Sequence, residues 1–149
     1  AKLEGKSSET VVWNGHLDTV PYGSTEEWNT DPSIPVEKNG RIYARGASDM
    51  KSGLAAMVYL LGEIGESGEK PEQTILFLGT CDEEKSGLGA EKILEEIDLS
   101  SGSLLLIGEP TGCKLGVAQK GCIWAQLNIS GKQVMGLIRR KDIMRLSME

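Results

Sequence analysis

The stretch that most restricts the fold is Gln73-Thr-Ile-Leu-Phe-Leu-Gly-Thr-Cys81, a nearly continuous apolar run of strand length. A strand apolar on both faces belongs to a sheet covered on both sides, the condition met in parallel α/β sheets. Parallel neighbours need long crossovers, usually helices, and the flanking sequence supplies them. Residues 49–64 place Leu54, Met57, Val58 and Leu61 at i, i+3, i+4 and i+7, one apolar helix face. Ser48 or Asp49 can cap the first turn of this helix, and Gly65 and Gly68 end it, with Pro71 beyond. Downstream, Ala90, Ile93, Leu94 and Ile97 repeat the same spacing, and Ser103-Leu-Leu-Leu-Ile107 is another apolar strand. Upstream, Glu9-Thr-Val-Val-Trp-Asn14 is a third. The order strand, helix, strand, helix, strand predicts an α/β fold, a partial doubly wound sheet with helices on both faces. Residues 22–40, rich in Gly, Pro, Asn and Asp, are predicted to be a long loop anchored by Trp28, followed by a short strand at 41–44. Residues 114–119 and 122–129 read as two further strands.

Charge and composition narrow the function classes. The net charge of −6 argues against nucleic acid or an anionic membrane as partner and suits a site that gathers carboxylates around cations. No apolar run is long enough to span a bilayer, and the first six residues do not have the pattern of a signal peptide. Cys81, Cys113 and Cys122 are odd in number and form no Cys-x-x-Cys. They read as reduced thiols of a cytoplasmic protein, each a small buried apolar residue. Residues 132–149 run basic, with five Lys or Arg against two acidic residues, and differ in kind from what precedes them.

Open α/β sheets bind ligands beyond the carboxyl ends of their strands, and there the polar groups fall. His16, the only histidine, follows the first strand, and Asp18 lies two residues on, so the two share a side of an extended chain. Asp82-Glu83-Glu84 follows the second strand, and Glu109 follows the third. Asp49 stands between the short strand and the first helix, flanked by Gly46 and Gly53. Each has a plainer reading: a hydrogen-bonded histidine, a helix cap at Asp49, an acidic first helical turn at 82–84, a turn at Glu109-Pro110. Taken together, an imidazole and several carboxylates at one sheet edge are the donor types of a metal site.

Four motifs carry a resemblance: Gly15-His-Leu-Asp-Thr-Val-Pro21, Arg45-Gly-Ala-Ser-Asp-Met-Lys-Ser-Gly53, Asp82-Glu-Glu-Lys-Ser-Gly87 and Gly108-Glu-Pro-Thr111. Over residues 9–132 the chain resembles the dinuclear-zinc aminoacylase and carboxypeptidase family that includes acetylornithine deacetylase and succinyl-diaminopimelate desuccinylase. The resemblance implies a zinc-peptidase-like catalytic domain over residues 1–112 and the first strands of a lid and dimerisation domain over 113–132. It implies that His16 and Glu109 bind one zinc, that Asp18 steadies His16, and that Asp49 bridges to a second zinc bound by Glu84. It implies that Glu83 is the general base and that the Asp49–Met50 peptide bond is cis. Two Zn2+ ions per complete site are implied, with Co2+ or Mn2+ able to substitute.

The implied activity is hydrolysis of the amide bond of N-acyl amino acids by a metal-activated water. The alternatives are a carboxypeptidase or dipeptidase of the same family, or a non-catalytic metal-binding remnant. The implied substrate is a small N-acylated amino acid or peptide, and full-length members are expected to be homodimers. Family members are much longer. The chain is expected to lack the second half of the catalytic domain, with a further zinc-binding histidine, and to be inactive alone. Residues 133–149 depart from the family pattern. Read one base out of frame with permitted codons, they can encode the His-Gly-Ser and Pro-Glu elements the family has there, so a frameshift near codons 132–134 is expected. A short basic amphipathic helix is the alternative.

Overall fold

In the computed structural model, residues 1–99, 104–121 and 123 are described. In chain order the elements are β1 (Lys2–Leu3), β2 (Thr10–His16), a single 3-10 turn (Thr25–Glu27), β3 (Val36–Lys38) and β4 (Arg41–Tyr43). An irregular turn (Ala47–Lys51), α1 (Ser52–Glu66), β5 (Thr74–Thr80), α2 (Leu88–Glu96) and β6 (Leu104–Ile107) follow. The chain divides into two units, Ala1–Gly116 and Val117–Glu149, and all these elements lie in the first.

Strand order in the main sheet is β1-β5-β2-β6. β2 runs parallel to β5 from Thr10↔Thr74 to His16↔Thr80, and parallel to β6 from Val11↔Leu104 to Asn14↔Ile107. The crossovers β2-α1-β5 and β5-α2-β6 run in opposite directions across the sheet. With both right-handed, one helix falls on each face. The order 5-2-6 is a doubly wound start, and its switch point lies where β2 and β6 adjoin.

Alternation along the strands decides what α1 covers. Val11 and Trp13 on β2 and Ile75 and Phe77 on β5 share a face, and with Leu3 they pack against Met57, Leu61 and Ile64 of α1. The apolar face of α1 is thus rotated from the predicted one: Leu54 and Met57 are buried, while Val58 is 53% exposed. At 100° per residue Val58 lies on the far side of Leu54 from Met57, Leu61 and Ile64.

Several other expectations are corrected. The helix begins at Ser52, not at 49, and its N-cap Lys51 makes no side-chain cap bond. Asp49 is not a cap: neither it nor Ser48 is the N-cap of α1, and the Asp49 carboxylate meets His16 Nε2 instead of a helix amide. Asp82, Glu83 and Glu84 are not a first helical turn. They lie in a turn closed by hydrogen bonds from the Ser86 and Gly87 amides to the Asp82 carbonyl, with Asp82 at φ 64°, and α2 starts only at Leu88.

The loop at 22–40 hides a strand. β3 pairs with β4 in a separate hairpin turned at Asn39 and Gly40, with φ of 54° and 68°. Asn-Gly supplies the positive φ at both positions that a two-residue hairpin turn requires. Trp28 does anchor the loop: its indole N–H donates to the Tyr22 carbonyl at 2.8 Å, and the Arg45 guanidinium lies 4.7 Å over its ring.

β6 is exposed along its length, from 67% at Leu104 to 50% at Ile107, so the expected cover on both sides is absent there among the described residues. Among the described residues β2 is its one strand neighbour, and α2 buries no residue. Cys81 and Cys113 are exposed free thiols, not buried ones, because each sits in a connection beyond its strand. Residues 114–119 make no strand pairing among the described residues. Their expected partner at 122–129, Cys122, and the tail at 133–149 lie outside the described residues. Among the described residues no helix is long and apolar enough to cross a membrane.

Candidate metal centre

β2 ends in the middle of the sheet, and its last residue, His16, is only 2% exposed. The strand is held to that end by the Leu17 amide, which donates to the Thr80 carbonyl at 2.8 Å. Beneath the imidazole lies Met50, fully buried, whose Sδ accepts the His16 backbone N–H at 3.1 Å. Nδ1 of His16 is 3.0 Å from the backbone carbonyl of Asp18. A carbonyl can only accept, so Nδ1 carries a proton, while Nε2 donates to the Asp49 carboxylate when the ring is protonated and offers its lone pair when the ring is neutral. That nitrogen faces carboxylates: Asp49 Oδ1 at 3.0 Å, Glu109 Oε1 at 3.6 Å and Glu83 Oε2 at 4.0 Å.

Close backbone approach brings these groups together. A Cβ on Gly53, in the first turn of α1, would lie 2.0 Å from the Gly108 carbonyl oxygen. A Cβ on Gly15 would lie 2.7 Å from Met50 Cε, and one on Gly108 2.9 Å from Met57 Cε. At Gly53 the obstacle is backbone, so only glycine there lets α1 and the end of β6 close up under the site, whereas at Gly15 and Gly108 the added atom meets the movable ends of side chains. The Gly108 amide donates to the Asn14 carbonyl at 3.2 Å, extending the β6–β2 pairing by one residue and leaving Glu109 at the switch point. The Asp49–Met50 peptide bond is cis. Donor atoms of His16, Asp49 and Glu109 lie within 4.8 Å of one another.

Asp18 takes a place that sequence reasoning missed. Its carboxylate is 3.6 Å from His16 Nδ1, while its own carbonyl receives the ring N–H. The two carboxylate oxygens accept the backbone amides of Glu83 at 3.3 Å and Glu84 at 3.2 Å. No sequence pattern announces a side chain that binds amides some 65 positions away. Of the expected ligands, Glu84 reaches the group through its amide on Asp18. Its side chain is not in the His16, Asp49 and Glu109 cluster.

The electrostatics are those of an acidic site around one imidazole. Burial alone would lower the His16 pKa, but the bond to Asp49, the Asp18 carbonyl and the charges of Glu109 and Glu83 together raise it above the ordinary value. Burial, then the charges of Asp49 and Glu83, push the Glu109 carboxyl up, against the opposing pull of His16. Burial would likewise raise Asp18, yet the amides of Glu84, of Asp18 itself and of Glu83, with His16, hold it below the usual carboxylate range. Carboxylates that crowd enough to favour a proton are relieved by a cation. One imidazole nitrogen and two carboxylates at this spacing suit a divalent metal ion.

A cavity of about 560 Å3, within the size range of small-molecule sites, is lined by Leu17, Ala47 and Lys51, close in sequence to His16 and Asp49, and by none of His16, Asp49, Glu83 or Glu109 themselves. Leu17, Pro32, Ile42 and Ala55 form apolar wall, and Arg45 and Lys51 contribute positive charge. Lys51 Nζ donates to the Leu17 carbonyl at 2.5 Å and Arg45 Nη2 to the Pro21 carbonyl at 3.2 Å.

Comparison with known proteins gives concordant results. A model of peptidase family M20/M25/M40 matches residues 12–130. A probable succinyl-diaminopimelate desuccinylase of Staphylococcus aureus is 37% identical over 130 residues, which cover 87% of this chain and 32% of that protein. Succinyl-diaminopimelate desuccinylases of Bordetella avium and Coxiella burnetii are each 36% identical over 87% of this chain, and over 36% and 37% of their own lengths. The chain thus spans about a third of the length of the curated relatives it matches. The crystal structure of human carnosine dipeptidase 1 superposes with a TM-score of 0.62 at 26% identity, covering 71% of this chain and 24% of that one.

Proposed function

This chain belongs to peptidase family M20/M25/M40, and from that membership we propose that it is part of a metal-dependent hydrolase that cleaves the amide bond of small N-acylated amino acids. The observation that carries the reading is the buried imidazole of His16, with Nε2 aimed at Asp49 and Glu109. His16 and Glu109 would hold one Zn2+ and Glu84 a second, with Asp49 serving both, and Co2+ or Mn2+ would substitute. A bound zinc pair supplies Lewis acidity, lowering the pKa of a water toward ~7 and polarising an amide carbonyl.

The residues of this chain do the rest. Asp18, through its carbonyl, keeps the proton on Nδ1 and so leaves Nε2 free to ligate. Glu83, exposed and at the rim of the group, accepts a proton at its carboxylate and returns it to the leaving amine. The neighbouring cavity, apolar with Arg45 and Lys51 on its wall, suits an acyl arm that ends in a carboxylate. The relatives named succinyl-diaminopimelate desuccinylase point the same way. A dipeptide is the second reading, favoured by the likeness to a carnosine dipeptidase. We further propose that full-length proteins of this family pair as homodimers and that the exposed free thiols suit a cytoplasmic setting.

Calorimetric zinc titration of the chain, and assay of protein from its complete reading frame against N-succinyl, N-acetyl and dipeptide substrates, test this. Two equivalents with turnover are expected from the complete frame. One weak equivalent with no turnover on any substrate means a non-catalytic remnant.

A further inference from the structure

One carboxylate touches both halves of the candidate centre. Asp18 Oδ1 is 3.6 Å from His16 Nδ1 and accepts the Glu83 amide at 3.3 Å, while Oδ2 accepts the Glu84 amide at 3.2 Å. The amide contacts are the shorter ones, though at the long end of the N–H···O range. The ring needs no help from this carboxylate to fix its tautomer, because the Asp18 carbonyl already takes the Nδ1 proton at 3.0 Å.

On the other side, the acidic turn is closed on itself. The Asp82 carbonyl accepts the Ser86 and Gly87 amides, and the Asp82 carboxylate accepts the Ser86 hydroxyl. A turn with its own internal bonds moves as a body, and Asp18 is where that body meets the end of β2. Consecutive amides that converge on one carboxylate fix the direction of the backbone at 83 and 84, and with it where both glutamate side chains start.

We infer that Asp18 is a positioning residue for the acidic turn: by gripping the backbone amides of Glu83 and Glu84 it sets both glutamates relative to His16. What those glutamates do rests on the function proposed above, whereas the grip itself does not. Its consequence is that the placement of base and second-metal ligand is coupled to the first-metal ligand through a residue that need not touch substrate.

The test uses the isotope-labelled, metal-free 149-residue chain, read by amide hydrogen exchange and imidazole nitrogen shifts. Asp18→Ala is expected to speed exchange at Glu83 and Glu84 by about tenfold, with the β2 and β5 amides unmoved and the proton still on His16 Nδ1. Asp18→Asn keeps the shape and one acceptor oxygen, so it is expected to free one of the two amides. It also decides the matter should the alanine variant not fold. Unchanged amides at 83 and 84 in the Asn variant, or a switched imidazole tautomer with those amides unmoved, overturn the inference. Zinc titration of the unaltered chain is the separate arm. Absence of binding there rejects the metal reading, and the amide result still stands or falls by itself.

Discussion

At the residue scale the chemistry centres on His16. Its pKa is raised in the metal-free chain by Asp49, the Asp18 carbonyl, Glu109 and Glu83, against burial. A raised folded pKa means that the protonated ring contributes stability below the ordinary imidazole value, ~6.5, and that this contribution is lost as pH rises through the folded value. Glu109, also raised, acts in the same direction at lower pH, and Asp18, lowered, acts in the opposite one. Urea unfolding of the metal-free chain is expected to show stability falling as pH rises through the His16 transition, with that step absent in His16→Ala. Zinc reverses the sign, because protons compete with the metal for the same nitrogen. Glu83 is the other residue to separate. Glu83→Gln in the complete reading frame is expected to leave zinc stoichiometry unchanged and to lower kcat by about 100- to 10,000-fold. Loss of bound metal in this variant would make Glu83 a ligand. The candidate residues themselves were legible, since His16, Asp49, Glu83 and Glu109 each follow a local run that announces a strand or helix end. Their partners were not: that Nδ1 meets a carbonyl and that Asp18 meets two amides depends on backbone atoms, which every residue has.

At the scale of elements, the first turn of α1 and the end of β6 are joined by glycines. Gly53 and Gly108 touch backbone to backbone, so an added methyl at 53 has no flexible side chain to displace. Gly53→Ala is expected to cost about 1–3 kcal/mol in chemical unfolding, as overpacking does, and to weaken zinc binding, since Glu109 follows Gly108. Val58→Ala, on the exposed side of the same helix, is expected to cost under about 0.5 kcal/mol. Equal losses from the two would mean that α1 packs by the face its periodicity suggested. That face was misjudged because Leu54, Met57, Val58 and Leu61 satisfy the helical spacing as well as Leu54, Met57, Leu61 and Ile64 do. Only the position of Trp13 and Ile75 beneath the helix chooses between them. β3 was missed for a related reason. Val36–Lys38 is too short and too polar to carry a pattern, although the Asn39-Gly40 turn that pairs it with β4 was in view.

At the scale of the whole molecule, three segments at residues 16, 49 and 109 are pinned to one point. A cation that binds there favours the folded chain by mass action, by about 2.7 kcal/mol at a hundredfold excess over its Kd. Zinc is therefore expected to raise the urea midpoint of the chain, a chelator to restore it, and His16→Ala to abolish the shift. A shift that survives in His16→Ala would place the ion elsewhere. The sequence by itself determined the order β2, α1, β5, α2, β6 and the four stretches that carry the polar groups, though not β1 or β3. Both are local properties, written in periodicity and in where apolar runs stop. The tertiary structure alone decided that Asp49 leaves the helix to face His16, that α1 packs by the Met57 and Ile64 side of its apolar stripe, and that one aspartate links two loops. Those outcomes depend on which distant backbone comes within a few ångströms, and a linear pattern does not encode that distance.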